Sequence, residues 1–241
     1  MKLPKSWNDV TVAQYIEARK SVNMDSNFES QLELLGVLAD VPTEDLEDLE
    51  LDEFSTLLAR ISFVQSEPNK MPAQSILEYQ LKPLNKIKVE EFLDLEYYVT
   101  KDYIEYLPII CAILYKQTRV DEWKHLSYEP HEYDLEERSK EFLNLSINSV
   151  YGVVTSYLQW RENFLNTYSN LFDEPITEED LQEVEPEDRK ELEAEMKMSK
   201  WAWEKTIYIL ANEDITNMEK VLGMNLIFAF NMLSMKKDTE T

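Results

Sequence analysis

Few side chains in this sequence are suited to nucleophilic or metal chemistry. Cys111 is the only cysteine, and His125 and His131 are the only histidines. A metal site needs several nitrogen, sulfur or carboxylate donors at ligand spacing. Two histidines six positions apart, with no second pair and no nearby thiolate, read as structural or surface residues. Cys111 lies in the apolar run 107–114. A reactive thiolate needs electropositive, partly exposed surroundings, so this setting predicts a core residue rather than a catalytic thiol. A lone cysteine also forms no intramolecular disulfide and suits a reducing compartment.

Carboxylates are abundant, with 48 Asp and Glu, so no pair such as Glu90/Glu91 or Glu178/Glu179 stands out as an acid–base couple. Glu136 and Glu137 lack the histidine three residues on that marks di-iron bundles. Nucleophile-elbow, Walker and dinucleotide-loop motifs are absent, and Gly36, Gly152 and Gly223 are isolated. These patterns predict a non-enzyme without catalytic residues, metal ligands or a cofactor.

The elements that must position everything else are helical. Three glycines in 241 residues disfavour folds built on glycine turns and phosphate loops. A hydrophobic share of 44% with 5 Trp, 13 Tyr and 9 Phe is ample for a packed core. Thr11 and Gln14 form a capping-box pattern ahead of a first helix carrying Val12, Tyr15 and Ile16. Phe28, Leu32, Leu35 and Leu38 mark a second helix, and Phe54, Leu57, Leu58 and Ile61 a third starting at Asp52. Residues 66–72 read as a linker, and 76–81 as a short strand or loop. Periodicity then predicts one long helix over 134–171, roughly 55 Å at the standard rise. Gly152 inside it points to a close crossing or a bend. Beyond 173–195 come a helix through Trp201 and Leu210, a short helix over 215–221 and a last one over 224–235.

An internal echo accompanies this pattern. Residues 10–17 (Val-Thr-Val-Ala-Gln-Tyr-Ile-Glu) match 87–94 (Ile-Lys-Val-Glu-Glu-Phe-Leu-Asp) at every large apolar position, with Trp7 aligned to Leu84. After a two-residue shift, Leu32, Leu35 and Leu38 correspond to Leu107, Ile110 and Ile113. Two amphipathic helices can also match by composition alone. The expected architecture is all-α, a multi-helix bundle with one long central helix and a small β-hairpin near 75–88. Its expected parts are a helical module at 1–66, a middle module at 67–133, and a segment 134–241 holding the long helix, the acidic stretch and the C-terminal helices.

The formal net charge is −24. Such a chain repels a phosphate backbone, and its densest basic stretch, 82–88, holds only three lysines. Direct nucleic-acid binding is therefore not expected. Residues 173–195 hold twelve Asp or Glu, which reads as a solvated face or as an arm for a basic partner. Neither a signal-type apolar segment at the N-terminus nor a bilayer-spanning stretch is seen, which predicts a cytosolic protein with no membrane partner. Aromatic and methionine residues crowd the C-terminal part. Trp201, Trp203, Tyr208, Phe228, Phe230, Met232 and Met235 are the candidate partner-binding residues, with core packing as the alternative.

Residues 3–17 (Leu-Pro-Lys-Ser-Trp-Asn-Asp-Val-Thr-Val-Ala-Gln-Tyr-Ile-Glu) resemble the start of small helical virion-morphogenesis proteins of tailed phages, notably phages of Bacteroidetes. The closing pattern Trp201-Ala202-Trp203, 210–215, Met218 to Val221 and 230–237 is similar to the same group, where an aromatic helix, an acidic turn and a final amphipathic helix recur. The resemblance implies a tail assembly chaperone that binds and shields a tail structural protein in the host cytoplasm. Its alternative is a ring or adaptor subunit of the head–tail connector, as in crAss-like phages, which would reside in the virion. The implied partners are other phage structural proteins, and no single functional residue carries over.

Overall fold

In the computed structural model the described residues are 1–22, 27–120, 126–128, 135–171 and 202–240. The fold is all-α with a minor antiparallel component, as the pattern predicts. The helices are α1 Val12–Val22, α2 Phe28–Ala39, α3 Leu51–Arg60, α4 Val89–Asp102, α5 Leu107–Leu114, α6 Leu135–Leu143, α7 Ile147–Thr167, α8 Ala202–Leu210, α9 Met218–Leu222 and α10 Leu226–Glu240. Strands β1 Ser75–Ile76, β2 Tyr79–Leu81 and β3 Tyr115–Lys116 form one sheet, and β4 Thr118–Val120 pairs with β5 Leu126–Tyr128. The hairpin expected near 75–88 is thus present as β1–β2, with Ile76 opposite Tyr79. Its tight turn places Leu77 at φ 53°.

The chain divides into two compact units. The first comprises Met1–Lys82 and Leu95–Gln159, the second Pro83–Asp94 and Trp160–Thr241. In the first, α1 pairs with α2 and α5 with α6. Its core includes Tyr15, Leu35, Phe54, Leu107, Ile110, Phe142, Val150 and Tyr157. Trp7 meets Tyr15 and Phe63 edge-on, at 5.3 and 5.1 Å between ring centroids, and its indole Nε1 donates to the Ser66 carbonyl at 2.8 Å. The Tyr79 hydroxyl donates toward both Glu141 carboxylate oxygens at 3.2 Å, fixing the hairpin to α6. Arg138, buried on α6, donates from its guanidinium to the Ala112 carbonyl of α5.

The second unit is built around aromatic rings. Phe92 contacts Phe164 at 5.5 Å and Trp203 at 5.1 Å, and Phe230 contacts Phe164 at 4.9 Å and Tyr168 at 5.4 Å. Edge and tilted pairs of this kind contribute roughly 0.5–1.5 kcal/mol each beyond the area they bury.

One expectation is corrected. The helix predicted over 134–171 is two helices, α6 and α7, separated at Asn144, Leu145 and Ser146. Apolar periodicity runs through the gap, so pattern alone does not reveal it. The break follows from backbone hydrogen bonding between distant segments. Val12 N–H donates to the Leu145 carbonyl and Ile147 N–H to the Val10 carbonyl, both at 2.9 Å, with Ser146 bridged antiparallel to Thr11. Backbone groups that open a helix need partners, and a segment held in the helix could not supply them.

Candidate binding surface

The local geometry that presents the C-terminal helix in the second unit repeats that of α7 in the first. In unit 1, α1 opens with a capping box: Thr11 N–H donates to Gln14 Oε1 at 3.0 Å, and Gln14 N–H donates to Thr11 Oγ1 at 3.1 Å. In unit 2, Lys88 N–H donates to Glu91 Oε2 at 2.9 Å at the start of α4. Lysine supplies no acceptor, so only half of the box is retained. Each helix start is clasped by a turn between two helices. Val89 N–H donates to the Met224 carbonyl at 3.0 Å, Leu226 N–H to the Ile87 carbonyl at 2.9 Å, and Lys88 is bridged antiparallel to Asn225. Even the turns agree: Leu145 N–H bonds the Phe142 carbonyl at 3.1 Å, and Met224 N–H the Val221 carbonyl at 3.0 Å. The echo between 10–17 and 87–94 is therefore carried by matching backbone bonds. A second echo aligns Leu145, Ser146 and Ile147 with Met224, Asn225 and Leu226. The pairs Leu/Met, Ser/Asn and Ile/Leu are alike in chemistry, but three positions are too few to stand out in sequence comparison.

This register places residue 147 of α7 at residue 226 of α10. Leu226, Ala229 and Phe230 turn inward and are buried. Phe228, Met232 and Met235 form an outward stripe at i, i+4 and i+7 and are 54%, 36% and 56% exposed. The helix is thus apolar on two faces, and burial within the chain accounts for only one of them.

The candidate partner-binding residues separate accordingly. Phe230 is buried, and Trp203 stands half-buried against Phe92 and Phe230. Tyr208 on α8 is exposed at the surface, as are Phe228, Met232 and Met235 on α10. Trp201 lies outside the described residues, as do His125, His131 and the acidic stretch 173–195. Sequence reading did not single out Ile215, which is 72% exposed directly after the acidic turn. That turn closes α8 with Asn212 and Glu213 both left-handed, at φ 57° and 61°. Glu213 N–H reaches the Tyr208 carbonyl at 2.9 Å and Asn212 N–H the Ile209 carbonyl at 3.1 Å, a Schellman-type closure. The Asp214 carboxylate accepts from Thr216 N–H at 2.9 Å and Thr216 Oγ1–H at 2.7 Å, and these bonds hold its pKa below the usual carboxylate range.

Cys111 is fully buried in α5, and burial pushes its thiol pKa far up, opposite to what a nucleophile needs. Among the described residues, no group of three His, Cys, Asp or Glu could hold a metal ion. No described helix is long and apolar enough to cross a membrane. Comparison with protein-family models, curated proteins and solved structures finds no match.

Proposed function

We propose that this protein is a non-catalytic component of tailed-phage morphogenesis, a tail assembly chaperone that binds and shields a tail structural protein in the host cytoplasm. The observation that carries the binding part is the Phe228, Met232 and Met235 stripe on α10. Methionine and aromatic side chains suit a surface that must adapt to apolar segments of a partner. Resemblance of residues 3–17 and of the closing 201–237 pattern to small phage morphogenesis proteins supports the phage setting.

The test is mass spectrometry of purified particles together with capture of the tagged chain from infected cells. The expected result is absence from the particle and co-purification of a tail structural protein. Capture is lost in a Met232→Lys/Met235→Lys variant that still folds. Presence in the particle at fixed stoichiometry would overturn the chaperone in favour of a head–tail connector subunit.

A further inference from the structure

Between Lys20 and Arg60 the chain carries no basic residue. Within that stretch seven of the ten residues from 44 to 53 are Asp or Glu, and all seven are exposed. Among the described residues none of the seven carboxylates joins an ion pair. Like charges this close repel one another, so the fold bears a cost here that a cation from outside would relieve.

Two large apolar side chains stand in the same place. Phe28 opens α2 and is 55% exposed, and Leu51 opens α3 and is 73% exposed. Both border Phe54, which is buried. The Phe28 ring lies 4.9 Å from the Phe54 ring, and Leu51 sits one turn ahead of Phe54 on α3. Singly exposed apolar residues are ordinary on a protein surface. Here two flank one buried ring, and carboxylates bracket Leu51, with Glu50 before it and Asp52 after it. An apolar centre with a charged rim is the makeup of a binding patch.

We propose that the Phe28–Leu51 patch of unit 1 docks a basic segment of a partner protein, a bulky apolar side chain flanked by lysines or arginines. Charge complementarity selects this occupant. A second copy of the chain would bring the same carboxylates, a nucleic acid its phosphates and an anionic bilayer its headgroups, and all three are repelled. The partner's apolar side chain covers Phe28 and Leu51, and its flanking cations meet the rim. Those cations act mainly on encounter rate and specificity, whereas the desolvated apolar anchor holds the complex. The patch is independent of α10 and of the tail-chaperone reading, which fails separately, by presence of the protein in purified particles.

The probe is the peptide acetyl-Lys-Lys-Leu-Leu-Lys-Lys-amide, titrated into the full chain labelled with para-fluorophenylalanine. Fluorine resonances report locally, and Phe28→Leu assigns the one that belongs to Phe28. That resonance is expected to shift to saturation, with a midpoint that rises at higher ionic strength. A peptide with Gly-Gly in place of Leu-Leu keeps the charge and should bind at this site severalfold more weakly. Leu51→Ser is expected to remove the advantage of leucine over glycine, whereas Leu77→Ser, at another exposed leucine of unit 1, leaves it intact. Glu47→Gln/Asp48→Asn/Glu50→Gln should weaken both peptides. Circular dichroism and melting temperature establish that each variant folds, with Leu51→Ala replacing the serine variant if that one does not. No shift at Phe28 would overturn the inference. Equal binding of the two peptides would do so too, since charge alone would then account for the attraction, as would a leucine advantage that survives in Leu51→Ser.

Discussion

The Val12 amide and the Leu145 carbonyl meet at 2.9 Å, and that one bond explains why the central helix is interrupted. Together with the reciprocal Ile147–Val10 bond, it ties the start of α1 to the turn between α6 and α7. Val89 with Met224, and Leu226 with Ile87, repeat the arrangement in the second unit.

The capping side chains inside these clasps are expected to act alike. Gln14→Ala and Glu91→Ala each remove the acceptor for a helix-opening N–H and should cost about 1 kcal/mol. Glu91 is almost fully buried, which puts its loss toward the upper part of that range. Gln14→Glu and Glu91→Gln keep the acceptor and should be near neutral. Urea midpoints of the four variants check this.

Gly152→Ala sets two effects of opposite sign against each other. Helix propensity favours alanine by about 1 kcal/mol. The new Cβ, however, would lie 2.6 Å from the Pro72 nitrogen, against backbone that cannot swing aside as a side chain would. Overpacking of this kind costs roughly 1–3 kcal/mol, so net destabilisation is expected, read as a lower melting temperature.

The β1–β2 turn offers a stabilising change. Leu77 sits at φ 53° and is 58% exposed, so it bears the left-handed penalty with little packing in return. Leu77→Gly should raise stability by about 0.5–1 kcal/mol, the relief of roughly 1–2 kcal/mol being partly offset by glycine's greater freedom when unfolded. Thermal melts decide the sign.

Phe228 and Phe230 should diverge on truncation although they are two residues apart. Phe230→Ala removes a ring packed on Phe164, Tyr168 and Trp203 and should cost about 3–5 kcal/mol. Phe228→Ala removes a mostly exposed ring and should change stability by no more than about 0.5 kcal/mol. Denaturant titration of both variants makes the comparison.

Alkali should unfold the protein. Burial raises the phenol pKa of Tyr15, Tyr115, Tyr151 and Tyr168. Burial also raises Tyr79, helped by its Glu141 hydrogen bond and the carboxylate charge, to about 12 from an ordinary 10.0. A raised pKa means that the folded state keeps its protons longer. Stability from Tyr79 is therefore fully present below pH 10 and is lost as pH rises from 10 to 12. The denaturation midpoint should fall across that window, less steeply in Tyr79→Phe; an unchanged slope would count against Tyr79 as a contributor.

Local signals in the sequence were readable where short-range chemistry decides the structure. The Thr11–Gln14 box, the α2 stripe and the hairpin near 75–88 all belong to this group, as does the echo at 87–94. The helix break at 144–146 was not readable, because its cause is a backbone exchange with residues 10–12. Likewise, composition placed Phe228, Phe230, Met232 and Trp203 together, but only the rotation of α10 separates those facing the aromatic core from those facing outward. The second half of the echo escaped because three residues are too short a match to stand out, although Ser146 and Asn225 act alike. Each accepts from an N–H of the helix that follows, Asn148 and Phe228, and each donates to a carbonyl ahead of the clasped helix, Trp7 and Asn85.

The clasps also impose an order on synthesis. Residue 12 leaves the ribosome well before residue 145 exists to bond it, and residue 89 waits similarly for residue 224. At about 5–20 residues per second, each helix start spends roughly 7–27 seconds without its distant partner. During that interval α1 can pack on α2, but the opening N–H of each clasped helix lacks its distant carbonyl, so neither unit can mature until its far segment has emerged.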